Sequence, residues 1–260
     1  MKNSEPATFW QHLDVLRWVI VRSLAVSTIF AVAAFCMKDW LFAVVLAPRT
    51  SDFITYQWLG VEPFSIHLMN TGLTEQFMTH MRVAIYAGLL CAAPYIIYEL
   101  FRFVSPGLYK NERRAGLWIV TSGYLMFMLG TLLNYLLIFP LTVRFLGTYQ
   151  VSVDVDNMLT LQSYTDTLIS MSLVMGVIFE LPVICAILGR MGILNSHLMS
   201  RYRRHAIVVI LVVAAIITPT TDVFTLLVVS LPIWLLYEFS ILLVRVMRPV
   251  YTPNHITKTD

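Results

Sequence analysis

The sequence predicts an all-α integral membrane protein with six transmembrane helices, and three observations carry that prediction. Hydrophobic residues make up 58% of the 260-residue chain and charged residues only 13%, against about 25% charge in an ordinary soluble domain. The mean hydropathy is +0.74. The apolar residues fall in continuous runs close to the ~20 residues a helix needs to cross a bilayer. They do not alternate as a transmembrane strand would.

The runs are Val19–Met37, His80–Phe101, Leu117–Phe139 and Leu168–Leu188, then a close pair, Ala206–Ile217 and Val223–Val244. Ahead of the first, "TFWQHLDVLRWVIVR" sets Phe9, Leu13 and Leu16 at helical spacing behind Thr8, a capping residue. That pattern predicts an amphipathic helix on the inner membrane surface over residues 1–18. The first run starts late and lacks a small-residue cleavage site, so it reads as a span and not as a cleavable leader. Residues 19–244 form the membrane domain and 245–260 a tail.

Between the first two runs lies Lys38–Thr79, long but only partly polar. Its pieces "LFAVVLAP" and "FITYQWLGVEPFSIHLM" are too apolar to float free and predict a long cap over the outer helix ends. A second outer segment, Leu146–Thr167, carries Asp154, Asp156 and Asp166. The last two helices are expected to be short, closed abruptly by "TPTTD" with Pro219 and Asp222 as turn formers. Ala206–Ile217 spans only about 18 Å as helix, against a hydrocarbon core of ~30 Å. Such a hairpin either thins the bilayer or recruits neighbours, or its flanking basic residues snorkel. Length alone does not choose.

Charge sets the orientation through the positive-inside rule. Lys2, Arg17, Arg22, Arg102, Lys110, Arg113, Arg114, Arg190, Arg201, Arg203, Arg204, Arg245, Arg248 and Lys258 fall on one face, and only Lys38, Arg49, Arg82 and Arg144 on the other. Both termini and the loop "FRFVSPGLYKNERR" (101–114) are therefore expected in the cytoplasm. Cys36, Cys91 and Cys185 fall inside helices and read as packing residues. No hydrolase or metalloprotease motif is present, the histidines are scattered, and no metal, cofactor or nucleic acid is expected.

Three inward-running helices each pair a proline with a glutamate: Pro94 with Glu99, Pro182 with Glu180, Pro232 with Glu238. Glu99 and Glu238 sit near cytoplasmic ends and read as interfacial acids. Glu180 lies deep in the fourth helix, where a charge costs at least ~2.5–3.5 kcal/mol. It is either a functional polar site or a hydrogen bond stapling the kink at Pro182. In the loop, Pro106-Gly107 makes a tight turn, and Phe103 and Tyr109 suit the headgroup level. Glu112 follows Asn111, a potential helix cap, so two readings stand: a first-turn acid complementing the helix dipole, or a carboxylate kept for a cationic partner.

These residues resemble the TatC family of the twin-arginine translocase. The resemblance runs through "HLDVLR" before helix 1, "LAP" (46–48), "FxFVSPGLYxxERR", "FPL" (139–141), "FELPV" (179–183), "RYRRHAIVV" (201–209), "TPTTDVF" (218–224) and "LPIWLLYE". It implies a receptor for the twin-arginine signal peptide of folded cargo in a bacterial inner membrane. The partners implied are single-span TatA/TatB-type subunits and further copies of the chain, with transport driven by the proton-motive force. By matched position, Glu112 would pair with the signal's arginines and Phe103 would flank it. Asp14, Arg17, Pro106 and Tyr109 complete the expected signal-peptide site. Glu180 matches the family's buried helix-4 glutamate, Pro48 the outer-cap proline, and Asp222 the outer turn that meets a partner.

The sequence departs from the family at two points. The family usually reads HLxELR, whereas this chain has Val15 at the glutamate and an acid one residue earlier, Asp14. One residue is about 100° around a helix, so Asp14 is expected to point elsewhere. The outer turn reads TPTTD where TPPD is common, and Leu226 stands where a glutamine is usual. The alternative from another class is a small proton-coupled secondary transporter with Glu180 as relay.

Overall fold

The computed structural model describes residues 9–60, 62–104, 113–149, 158–218 and 222–246. Among them, five helical spans are long and apolar enough to cross a membrane: Leu13–Cys36, Glu75–Phe103, Trp118–Thr148, Leu161–Arg190 and Val223–Val246. Two compact units hold them. The first takes in residues up to Leu125 and Leu132–Ser172, the second Met126–Thr131 and the chain from Leu173 onward.

In the first unit, α1 (Phe9–Cys36) is one unbroken helix passing through the junction expected after residue 18. The cap follows as α2 (Lys38–Leu46), a 3₁₀ turn (Ala47–Arg49) and α3 (Ile54–Trp58). Next come β1 (Leu68–Met69) and α4 (Glu75–Val104). Helix α5 (Arg113–Leu133) passes through a π turn (Asn134–Ile138) into α6 (Phe139–Thr148). The third apolar run, expected to stop at Phe139, therefore continues past Pro140. Proline has no N–H, so the Leu136 carbonyl one turn back loses its helical donor. The Thr55 hydroxyl of α3 donates to that carbonyl instead.

Hydroxyls fasten the cap at three more places. Tyr135 donates to the Val44 carbonyl at 2.7 Å and Tyr164 to Val45 at 3.0 Å. Tyr56, 1% exposed, reaches the carbonyls of both Pro48 (3.0 Å) and Pro140 (2.8 Å).

A parallel pair, Leu68↔Leu159 and Met69↔Thr160, joins β1 to β2 (Leu159–Thr160), which leads into α7 (Leu161–Ile178). Buried Glu75 fixes this corner. Its Oε2 accepts from the N–H groups of Thr71 (2.8 Å) and Gly72 (2.9 Å) and from the Thr71 hydroxyl, and its Oε1 from the N–H of Gln162 at 3.1 Å. Asp166, expected in an outer loop, lies inside α7, where both its oxygens accept from Arg82 Nη1 at 2.8 and 2.6 Å.

In the second unit the fourth run, expected as one helix, is two. After α7 the chain turns at Phe179–Glu180 and restarts as α8 (Leu181–Arg190), with Pro182 in its first turn, where a missing N–H is harmless. Then come α9 (Ser196–Arg201), α10 (Arg203–Ile217) and α11 (Val223–Val246). The expectation that the last two helices are short holds for α10 alone. At 24 residues α11 is a full span, because Pro232 is carried inside the helix without ending it. Transmembrane helices tolerate such prolines where neighbours re-satisfy the backbone.

Candidate functional site

Helices α1 and α4 run antiparallel, as the pairs Arg22–Glu99 and Phe35–His80 at opposite ends of their contact show. They cross closely, since a Cβ on Gly88 would fall 2.6 Å from the Ala31 Cα. Toward the N-terminal end of α1 they part around a cavity of about 500 Å³. Asp14, Trp18 and Arg22 enter it from one helical row, i, i+4 and i+8, and Val15 and Val19 from the next. Across from them, Glu99, Arg102 and Phe103 share the last turns of α4.

The cavity mixes aromatic walls with charges of both signs. Glu99 is 3% exposed. The Tyr95 hydroxyl, one turn back, donates to its Oε1 at 3.1 Å. Arg22 Nη1 lies 3.6 Å from the same oxygen, with its side chain 50% exposed. A carboxylate set this way, near an arginine in a cavity also lined by Trp18 and Phe103, is suited to a planar cation that can pair with the acid and stack on the rings.

Two of the expected signal-peptide residues, Asp14 and Phe103, line this cavity. Arg17 is exposed on α1 and is not part of the lining. Pro106, Tyr109 and Glu112 lie outside the described residues. Asp14 and Val15 both line the cavity. Glu99, expected as an ordinary interfacial acid, is instead buried. The signal that points to it is the i, i+4 spacing from Tyr95, opposite an arginine at matching depth on α1.

Glu180 occupies the turn between α7 and α8, and its Oε1 is buried with no hydrogen-bond partner. The stapling bond considered for the kink is thus not formed at that oxygen. Pro48 is buried in the cap, where its carbonyl faces Tyr56. Asp222 stands ahead of α11 and accepts from the Thr225 N–H at 2.8 Å and from the Thr225 hydroxyl, the pattern of a helix N-cap.

Known proteins decide what this arrangement belongs to. A family model described as "Sec-independent protein translocase protein (TatC)" matches residues 11–232. The chain belongs to the TatC family. A TatC protein of Deinococcus radiodurans is 33% identical over 244 residues, covering 94% of this chain and 88% of the relative. One from Koribacter versatilis is 33% identical, covering 93% and 86%. A solved structure, "Crystal Structure of Twin Arginine Translocase Receptor- TatC", superposes with a TM-score of 0.75 at 28% identity, over 90% of this chain and 98% of that one. As a TatC receptor subunit, this multi-pass membrane protein is a component of twin-arginine protein transport and not an enzyme. Membership also sets aside the reading as a small-solute transporter.

Proposed function

We propose that the α1–α4 cavity and the loop that follows α4 receive the twin-arginine segment of a cargo signal peptide at the cytoplasmic face of a bacterial inner membrane. The observation that carries this reading is the cavity itself, whose lining combines two carboxylates, Asp14 and Glu99, with two aromatic side chains, Trp18 and Phe103. Arginine and carboxylate form bidentate, charge-assisted hydrogen bonds, and the rings favour a guanidinium face. Phe103 lines the cavity and lies nine positions ahead of Glu112 in the sequence. Glu112 takes one signal arginine, and Arg113 and Arg114 hold the loop at the anionic inner leaflet. The basic residues named above support six crossings with both ends inside. Single-span TatA/TatB-type subunits, with further copies of this chain, then complete a transport assembly driven by the proton-motive force. The outer turn at Asp222 is one of its contact points, and Glu180 is a polar group reserved for transport.

Export of a twin-arginine cargo by cells carrying Glu112→Gln tests the reading. Export is expected to stop while the protein stays inserted at its normal level. Normal export would remove Glu112 from the receptor site. Crosslinking from position 103 to a twin-arginine peptide, but not to a twin-lysine control, is the matching physical readout.

A further inference from the structure

Glu99 is a buried acid whose cation is only loosely fixed. The Arg22–Glu99 approach of 3.6 Å is longer than the roughly 2.7–2.9 Å of a charge-assisted N–H···O bond. It is an ion pair without a closed hydrogen bond. The Arg22 side chain is half exposed, so its long stem can carry the guanidinium out to water while the stem stays on the apolar wall. The carboxylate cannot follow, because it is 3% exposed and held by Tyr95. A buried carboxylate left without a cation is strongly unfavourable, so departure of Arg22 leaves Glu99 to Arg102, the other arginine of the cavity lining, or to an incoming cation. Val15 and Val19, on the same wall, offer no charge.

We infer that Glu99 is an arginine-accepting carboxylate of the signal-peptide site and that Arg22 is its resident counter-ion, displaced when a ligand guanidinium enters. The inference rests on the proposal that the cavity receives the twin-arginine segment. A ligand arginine has the planar fork to hydrogen-bond Glu99 while stacking on Trp18 or Phe103, which a lysine lacks. Arg22 lowers the apparent affinity by the fraction of molecules in which it fills the site. The receptor thereby keeps its buried acid neutralised when empty and releases weak cations readily.

The test uses the purified full-length chain in lipid nanodiscs, with fluorescent twin-arginine and twin-lysine signal peptides. Glu99→Gln is expected to weaken twin-arginine binding about tenfold or more. Arg22→Gln is expected to tighten it about threefold or more, the direction opposite to that of a residue contacting the ligand or merely bracing the fold. The double variant should bind as weakly as Glu99→Gln alone. Arg22→Gln should also melt earlier than the parent without peptide, and twin-arginine peptide should raise its melting temperature more than the parent's. Arg22→Lys, which keeps the charge without the fork, covers the case of a poorly folding glutamine variant and should tighten binding to a smaller extent. The inference is overturned if Glu99→Gln binds like the parent, or if Arg22 variants bind no tighter than it. A parent that fails to distinguish arginine from lysine peptides overturns the cavity reading and this inference together. A discriminating parent with an indifferent Glu99→Gln overturns this inference alone.

Discussion

At the residue scale, Tyr56 shows how one side chain can secure a cap of mostly apolar sequence. Its single proton serves two carbonyls, Pro48 and Pro140, in a site 1% exposed. Burial pushes its ionisation well above the usual phenol range, against a smaller opposing pull from Arg144, so it remains a donor at any physiological pH. Tyr56→Phe leaves the Pro48 carbonyl without this donor, while the Pro140 carbonyl lies inside α6, and should cost about 1–3 kcal/mol. A lowered unfolding temperature in detergent is the expected result, and an unchanged one would mean that other donors take over. The cap was legible from its apolar stretches, but this hydroxyl's partners lie 8 and 84 residues away in sequence and left no local pattern. Glu180 is the converse case, visible in sequence because a glutamate in an apolar run is costly at about 2.5–3.5 kcal/mol or more. Its Oε1 makes no compensating bond. Glu180→Gln should leave the unfolding temperature equal or higher while export falls. A lower temperature with normal export would make it a brace instead.

At the element scale, run length located the spans and prolines misled their ends. Pro140 follows a π turn and is carried through with help from Thr55, Pro182 starts a helix after a break, and Pro232 sits inside one. The residue type is the same in all three. What differs is the position in the helix and, at Pro140, a neighbouring hydroxyl that meets the carbonyl proline leaves unpaired, a partner that belongs to the fold and not to the local sequence. On α1 the HLDVLR stretch pointed to Asp14 but not to Trp18 or Arg22, which lie beyond it, and Glu99 was not legible, because only the antiparallel α1–α4 crossing sets it against Arg22. That crossing depends on Gly88. A methyl group there would press on the Ala31 backbone, 2.6 Å from its Cα, a contact that no side-chain rotation relieves. Gly88→Ala should therefore destabilise by about 1–3 kcal/mol. It should also weaken twin-arginine peptide binding without touching any cavity residue. Full stability in that variant would show that α1 and α4 can part without loss.

At the scale of the whole molecule, the open question is how the chain crosses the membrane near its end. Helix α10 has 15 residues, about 22 Å at 1.5 Å per residue, against ~30 Å of hydrocarbon. Snorkelling by Arg203 is restrained, because it is bound to Glu238 of α11 at 2.8 Å, while Tyr237 donates to the Met199 carbonyl of α9 at 2.9 Å. If α10 spans, the shortfall falls on the bilayer, which thins locally at a cost of fractions of a kcal/mol per Å. If α10 failed to cross, α11 would carry Arg245, Arg248 and Lys258 to the outer face, against the positive-inside rule. Six crossings avoid that and return the tail to the cytoplasm. Single cysteines placed in a background with Cys36, Cys91 and Cys185 replaced decide between the two. With an impermeant maleimide on intact cells stripped of the outer membrane, positions 52, 154 and 220 should label directly. Positions 3, 110, 195 and 257 should label only after lysis. Position 220 protected with position 257 exposed would mean five crossings, and the short helix would then lie against the membrane without spanning it.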